Sequence, residues 1–125
     1  MPRDDQHVQK ARLNEDFAKG FDKTTSIAEM WSVVVIFYAA LHYVQSYFAK
    51  FGASEDAYNH ERREVEIARD PKLRHVLGPY KFLFKMSHTA RYKCVHFATE
   101  YKDPYGQAEK LLYLIKLEVN KAKGA

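Results

Sequence analysis

The sequence has little of what breaks or cross-links a fold. Its 125 residues include one cysteine, five glycines and four prolines. A single cysteine excludes an internal disulfide, and no cysteine–histidine spacing typical of a zinc site is present. We therefore expect a reducing, cytoplasmic location, no cofactor, and long elements with few breaks.

Long apolar runs are also scarce. The run 30–41 is the only membrane candidate, and it is shorter than the roughly 20 residues that span a bilayer. Polar residues follow it directly, beginning with His42. The charged N-terminal residues lack the apolar core of a signal peptide. This pattern predicts a buried helix and no membrane partner.

Acidic side chains are missing from one continuous stretch. Residues 71–99 contain no aspartate or glutamate, but they contain six lysines or arginines and three histidines. The whole chain has a formal charge of +4, so the remaining residues carry −2. Such segregation indicates a surface that meets phosphate or another polyanion. Gly78-Pro79 predicts a break within this stretch, so that its charges would point in several directions.

Hydrophobic periodicity predicts five helical stretches and no convincing strand, so the fold class is all-α. We expect a four- to five-helix, up-and-down bundle that forms one domain over residues 1–125, with its core at about residues 25–120. The second helix is apolar nearly all round, which is typical of a long central helix. The helices are expected at about 4–19, 26–52, 60–69, 79–94 and after 103.

Short motifs mark several helix starts. Ser26 and Glu29 match a capping box, in which each side chain accepts a backbone N–H of the other. Asn59 is expected to cap the third helix. Asp103-Pro104 pairs a cap residue with a proline suited to the first turn of the last helix.

The apolar positions predict which faces are buried. On the first helix the expected stripe is Val8, Ala11, Leu13 and Phe17. On the last helix the expected inner face is Leu111, Leu112, Leu114, Ile115 and Val119. In the central helix His42 shares a face with Tyr38, Gln45 and Ser46. A hydrogen-bonded core histidine is expected there, and a pocket or dimer seam is the alternative.

The end of the acid-free stretch holds the main candidate for chemistry. Arg91-Tyr-Lys-Cys-Val-His96 places an arginine and a histidine five residues apart. A guanidinium can hold a phosphate with two hydrogen bonds, and a histidine can move a proton near neutral pH. The pair suits metal-independent cleavage of RNA, in which His96 transfers protons and Arg91 stabilises the charged phosphorane. The alternative is a structural arginine at a helix end.

A second basic cluster, His60-Glu-Arg-Arg63, stands at a predicted helix N-terminus. Such an end attracts anions, so His60, Arg62 and Arg63 are candidate contacts to a phosphate or RNA. The alternative is a solvated face held by ion pairs with neighbouring glutamates. Tyr92 and Lys93 add an aromatic ring and a charge that suit unpaired bases, although helical cores use aromatic residues as well.

The arrangement resembles the HEPN superfamily of small all-α domains. The resemblance rests on Phe37-Tyr-Ala-Ala-Leu-His-Tyr43, on His60-Glu-Arg-Arg63, and on Tyr80…Leu83…Ser87-His-Thr-Ala-Arg-Tyr92. It covers roughly residues 25–120. It implies a helical bundle that often dimerises and that belongs to prokaryotic toxin–antitoxin, defence or CRISPR-linked systems.

The resemblance also implies roles for Arg91 and His96. Catalytic HEPN proteins carry an arginine and, four to six residues later, a histidine just before the last helix. Two such motifs face each other across a homodimer and form a ribonuclease site that needs no metal. Tyr92 stands where the family usually has a small polar residue. The alternative is a non-catalytic, dimeric interaction or accessory module that binds RNA or a cognate protein.

Overall fold

The structure, a computed structural model, describes residues 3–51, 59–92 and 100–124. Regular structure in these residues is helical throughout, without a strand, which confirms the predicted all-α class. The elements are α1 (Asp4–Lys19), α2 (Ser26–Phe51), α3 (His60–Arg69), a 3₁₀ turn (Arg74–Val76), α4 (Leu77–Tyr92) and α5 (Pro104–Gly124).

α2 is the central helix, as predicted, and it packs against α1, α4 and α5. Length and composition alone would allow α2 to cross a membrane, but half of its most apolar window is buried inside the bundle. Core helices share this property, so packing accounts for its apolar character. Its largest fully buried side chains are Val33, Ile36, Val44 and Gln45.

The predicted caps are found, with one shift. Asn59 accepts the backbone N–H groups of Glu61 at 2.9 Å and Arg62 at 3.4 Å, which confirms its role in α3. In α2 the hydroxyl of Thr25 accepts the N–H of Ala28 at 3.3 Å. The predicted capping box is therefore wrong by one residue, because Ser26 already lies inside the helix.

Only part of the predicted stripe of α1 faces the core, where Ala11 is buried and Val8 is partly buried. Leu13 and Phe17 are 58% and 63% exposed. Ala11 is buried as predicted, and α1 also buries His7 and Ala18 against the bundle. Small alanine side chains allow close approach to α2, and His7 finds a polar partner there. A count of apolar residues alone misses both effects.

The break predicted at Gly78-Pro79 is found two residues earlier, between the 3₁₀ turn that ends at Val76 and α4. α4 begins at Leu77, which places the glycine and the proline in its first turn. N–H groups of a first turn have no acceptor within the helix, so proline costs no hydrogen bond there. As predicted, Lys81, Lys85 and Arg91 belong to one continuous helix.

α5 begins at the predicted Asp103-Pro104 motif. Asp103 has a left-handed backbone conformation with φ at 48°. Its carbonyl accepts the N–H of Gln107 at 3.0 Å, and its carboxylate accepts the N–H of Gly106 at 3.4 Å. A Cβ at position 106 would overlap the Asp103 carboxylate. The cap therefore depends on glycine at this position.

We expect Gly106→Ala to be less stable than Gly78→Ala by about 1 kcal/mol, because alanine at 106 displaces the carboxylate cap. Gly78 is the matched control, since within the described residues no atom beyond its chain neighbours and its own helix backbone lies within 4 Å of where its Cβ would stand. Alanine there should raise the free energy of unfolding by about 0.5–1 kcal/mol through helix propensity. Urea denaturation measures the difference, which should disappear in an Asp103→Ala background if the cap is its cause.

Candidate nucleic-acid interface

One face of α4 combines positive charge with aromatic rings. Lys81, Lys85, His88 and Tyr92 recur at the spacing of a single helix face, and Arg91 lies at its edge. We call these five residues the basic–aromatic stripe. The sequence of α4 contains no acidic residue, and the helical rise spreads the stripe over roughly 16 Å. The stripe is therefore a linear positive surface, in which Lys81 lies 4.0 Å from a carboxylate oxygen of Glu64.

Arg91 is held in place by its own helix and by α2. Its Nε donates to the carbonyl oxygen of Ser87 at 3.3 Å, and its Nη1 donates to the hydroxyl of Tyr38 at 3.1 Å. Its guanidinium carbon lies 5.9 Å from the ring centre of Tyr38 and 5.1 Å from that of Tyr92. The side chain is only partly buried.

The charge of Arg91 is not neutralised within the described part of the chain. None of the carboxylates there forms an ion pair with this guanidinium. Arg91 is thus oriented by neutral groups while its charge stays available. A guanidinium in this state suits the binding of a phosphate, because its planar donors can form two parallel hydrogen bonds to it.

A row of aromatic rings connects the stripe to α3. The ring centre of Tyr92 lies 4.9 Å from that of His88, and His88 lies 6.0 Å from Phe84. Phe84 in turn stacks on His60, with ring centres 3.6 Å apart and planes at 18°. The structure therefore brings both clusters predicted from the sequence, at His60 and at Arg91, onto one row.

The candidate residues of α3 are engaged within the protein. Arg63 is 4% exposed, and its Nη1 donates to the hydroxyl of Tyr80 at 3.0 Å. The Nε2 of His60 lies 2.7 Å from the carboxylate of Glu64. Burial lowers the pKa of His60, although Glu64 opposes this shift. Arg62 lies 3.9 Å from the carboxylate of the glutamate one turn later.

The geometry of α3 therefore matches the ion-paired face more closely than an open anion site. Arg63 has a buried, structural position and is not part of the candidate interface. His60 supports the row of rings through Phe84. Arg62 remains 47% exposed at its side chain and lies at the margin of the surface.

Two members of the surface are not predicted from the sequence. Tyr38 contacts Arg91 although 53 positions separate them, and no local pattern shows such a tertiary contact. His88 stands four residues before Tyr92 and three after Lys85. That spacing is readable in the sequence, because all three residues lie in the helix expected at 79–94, but the sequence motif singles out only Arg91, Tyr92 and Lys93.

The second half of the predicted catalytic motif is not placed. Lys93 and His96 lie outside the described residues, so only Arg91 and Tyr92 have a described geometry. Within the three described ranges, no three histidine, cysteine or acidic side chains are grouped so that they could hold a metal ion.

A second polar feature joins α1 to α2. The Nδ1 atoms of His7 and His42 lie 3.1 Å apart, and the two rings stack with centres 5.3 Å apart. Burial lowers the pKa of His42 to about 4, with further contributions from His7, Lys10 and Arg63. Burial also lowers the pKa of His7, and Asp4 opposes that shift. The expected hydrogen-bonded histidine is observed, with an imidazole as its partner.

Known proteins add no assignment to this surface. Comparison of the chain with models of protein families, with curated proteins and with solved structures found no match. The HEPN resemblance therefore stays a prediction.

Proposed function

We propose that this protein binds single-stranded RNA through the basic–aromatic stripe. The proposal rests on the position of the Arg91 guanidinium. Ser87 and Tyr38 orient this group, and it lies beside Tyr92, which is 65% exposed. Proteins that bind single strands combine positive groups along the backbone with rings on which bases stack.

Each part of the stripe has a role in this proposal. Arg91 binds a phosphate, and Tyr92 stacks on the adjacent base. Lys81 and Lys85 are exposed and extend the positive surface along α4. They can therefore bind further phosphates of an RNA strand that lies along this helix. A single strand fits better than a duplex, because the ring of Tyr92 needs the face of an unpaired base.

Cleavage of the bound RNA is the finer form of the proposal. It needs a proton-transferring group near the guanidinium, and His96 is the group that the sequence motif and the HEPN resemblance supply. In this reaction the 2′-oxygen gives up its proton and attacks the phosphorus, and the 5′-oxygen leaves and takes up a proton. Arg91 stabilises the additional negative charge.

Two measurements separate binding from cleavage. Fluorescence anisotropy of a labelled, unstructured oligoribonucleotide measures Kd, and gel electrophoresis of the same RNA in EDTA measures cleavage. We expect salt-sensitive binding, and cleavage by the wild type that His96→Ala abolishes while its Kd stays unchanged. Binding without cleavage would refute the ribonuclease activity but would still support RNA binding through the stripe. Absence of binding at low salt would refute both.

Substitution of Tyr92 tests the stacking role. We expect Tyr92→Ala to weaken RNA binding by about tenfold, because stacking on one base contributes about 1–3 kcal/mol. Tyr92→Phe is the matched control and should bind as the wild type does, since it keeps the ring. The anisotropy titration measures both values. If alanine and phenylalanine bind equally well, Tyr92 does not stack on a base.

A further inference from the structure

α5 has two apolar faces, and the bundle uses one of them. The buried face consists of Ala108, Leu112, Ile115 and Val119, together with Pro104 at its start. On the outer side, Tyr113, Leu114 and Leu117 are 65%, 47% and 38% exposed. A surface helix ordinarily presents polar residues there. The predicted inner position of Leu114 is therefore wrong, and its actual position requires a different explanation.

Grooves flank the outer face of α5 on both sides. Towards α1 lies a groove of about 680 Å³, lined in part by Tyr113 and Leu114. Towards the 3₁₀ turn and α4 lies one of about 420 Å³, lined in part by Val76, Leu114 and Glu118. Leu114 borders both grooves and thus forms a ridge between them. Ridges and grooves of this kind are the surface into which a second helix packs.

The residues around Leu114 are arranged symmetrically about it. Lys110 lies four residues before it and Glu118 four residues after it, and Leu111 and Leu117 lie three residues to either side. In two antiparallel α5 helices related by a two-fold axis at Leu114, Lys110 faces the partner's Glu118. Leu111 likewise faces the partner's Leu117.

The charges favour a second copy as the occupant of this face. In the two-fold dimer this lysine–glutamate pair occurs twice, once on each side of the axis. Charge complementarity of this kind fixes the register of an interface. Lys110 is exposed and has no ion pair within the described residues. Among the residues that the structure describes, Glu118 pairs only with Lys121 of its own helix, at 3.6 Å, and so remains able to accept a second cation.

We propose that the protein forms a homodimer through antiparallel packing of α5 about Leu114. The basic–aromatic stripe lies on a different side of α4, where Arg91 contacts α2. Pro79 lines the groove beside Leu114, and Phe82 lines a smaller groove beside Leu111 of α5. Both stripes therefore stay accessible in the dimer. This arrangement differs from the dimer that the HEPN resemblance implies, and it does not depend on RNA binding.

Sedimentation equilibrium tests the interface. We expect the wild type to reach twice the 14.6 kDa of one chain. Leu114→Arg should raise the dimer dissociation constant by about tenfold or more, because it places a charge at the centre of the apolar contact. Leu13→Arg is the matched control: it changes a leucine of α1 that is 58% exposed, and the dimer should persist.

Charge reversal tests the register of the two α5 helices in the dimer. This test remains possible even if Leu114→Arg fails to fold. Lys110→Glu or Glu118→Lys alone places like charges opposite each other and should weaken the dimer by about threefold. The double variant restores complementarity and should recover the wild-type dissociation constant. A monomer at all concentrations, a dimer insensitive to Leu114→Arg, or a double variant without recovery would overturn the proposal.

Discussion

Replacing Arg91 by alanine should weaken the binding of single-stranded RNA by about tenfold or more, because a hydrogen bond to a charged phosphate contributes about 1.5–3 kcal/mol. The side chain is already oriented by the Ser87 carbonyl and the Tyr38 hydroxyl, so little conformational freedom is lost when RNA binds. An anisotropy titration at fixed salt measures the change in Kd.

Two further variants make this result specific. Arg91→Lys keeps the charge but loses the planar donors, so its affinity should lie between those of the wild type and the alanine variant. Arg74→Ala removes the same charge from an exposed position in the 3₁₀ turn and should change Kd much less. Equal losses of RNA affinity in Arg91→Ala and Arg74→Ala would indicate a general charge effect and contradict RNA binding through the stripe.

Acidification should destabilise the protein through the His7–His42 pair. The pKa of His42, about 4 in the folded protein, lies below its ordinary 6.5. As pH falls from 6.5 to 4, the unfolded chain therefore binds protons that the folded protein does not. The free energy of unfolding decreases through this window. Because His42 is partly exposed, solvent screening reduces the effect, and we expect roughly 1–2 kcal/mol from the pair.

Urea denaturation at pH 7 and near pH 4.5 measures this loss. Carboxylates also titrate at the lower pH, so the informative quantity is the difference between the wild type and His42→Gln. The variant cannot be protonated at residue 42, and its stability should depend less steeply on pH. His75→Gln, at an exposed histidine, should show the wild-type dependence. Identical pH profiles for the wild type and His42→Gln would show that the pair does not carry the effect.

Local sequence signals predict the helices well because they act within a few residues. The side chain of Asn59 caps the very next turn, and Asp103 does the same for α5. The two-residue shift of the break predicted at Gly78-Pro79 has a local cause too. Proline breaks a helix when it lies in the interior but is tolerated in the first turn. The helix α4 can therefore begin at Leu77, two residues before Pro79.

Faces and contacts depend on tertiary structure, and there the sequence predicts less. Arg62 and Arg63 are neighbours of the same type, yet only Arg63 points into the protein. His7 is buried because His42 provides a partner 35 positions away. Leu114 reads as a core residue in α5, and its exposure follows from the rotation of that helix in the bundle.

The candidate site was predictable in part for the same reason. The sequence identifies Arg91 and Tyr92, because charge and ring stand together at the end of an acid-free stretch. It does not reveal that Tyr38 orients the guanidinium, nor that His88 and Phe84 connect the stripe to His60. These contacts exist only once α2, α3 and α4 have packed.

The salt dependence of RNA binding tests the central claim most directly. If Lys81, Lys85 and Arg91 each contact a phosphate, log K should fall with log salt with a slope of about −2, since each contact to a single strand contributes about 0.7. Arg91→Ala and Lys85→Ala should each reduce this slope by about 0.7. A wild-type slope near zero, or a slope that neither substitution changes, would contradict binding through the basic–aromatic stripe.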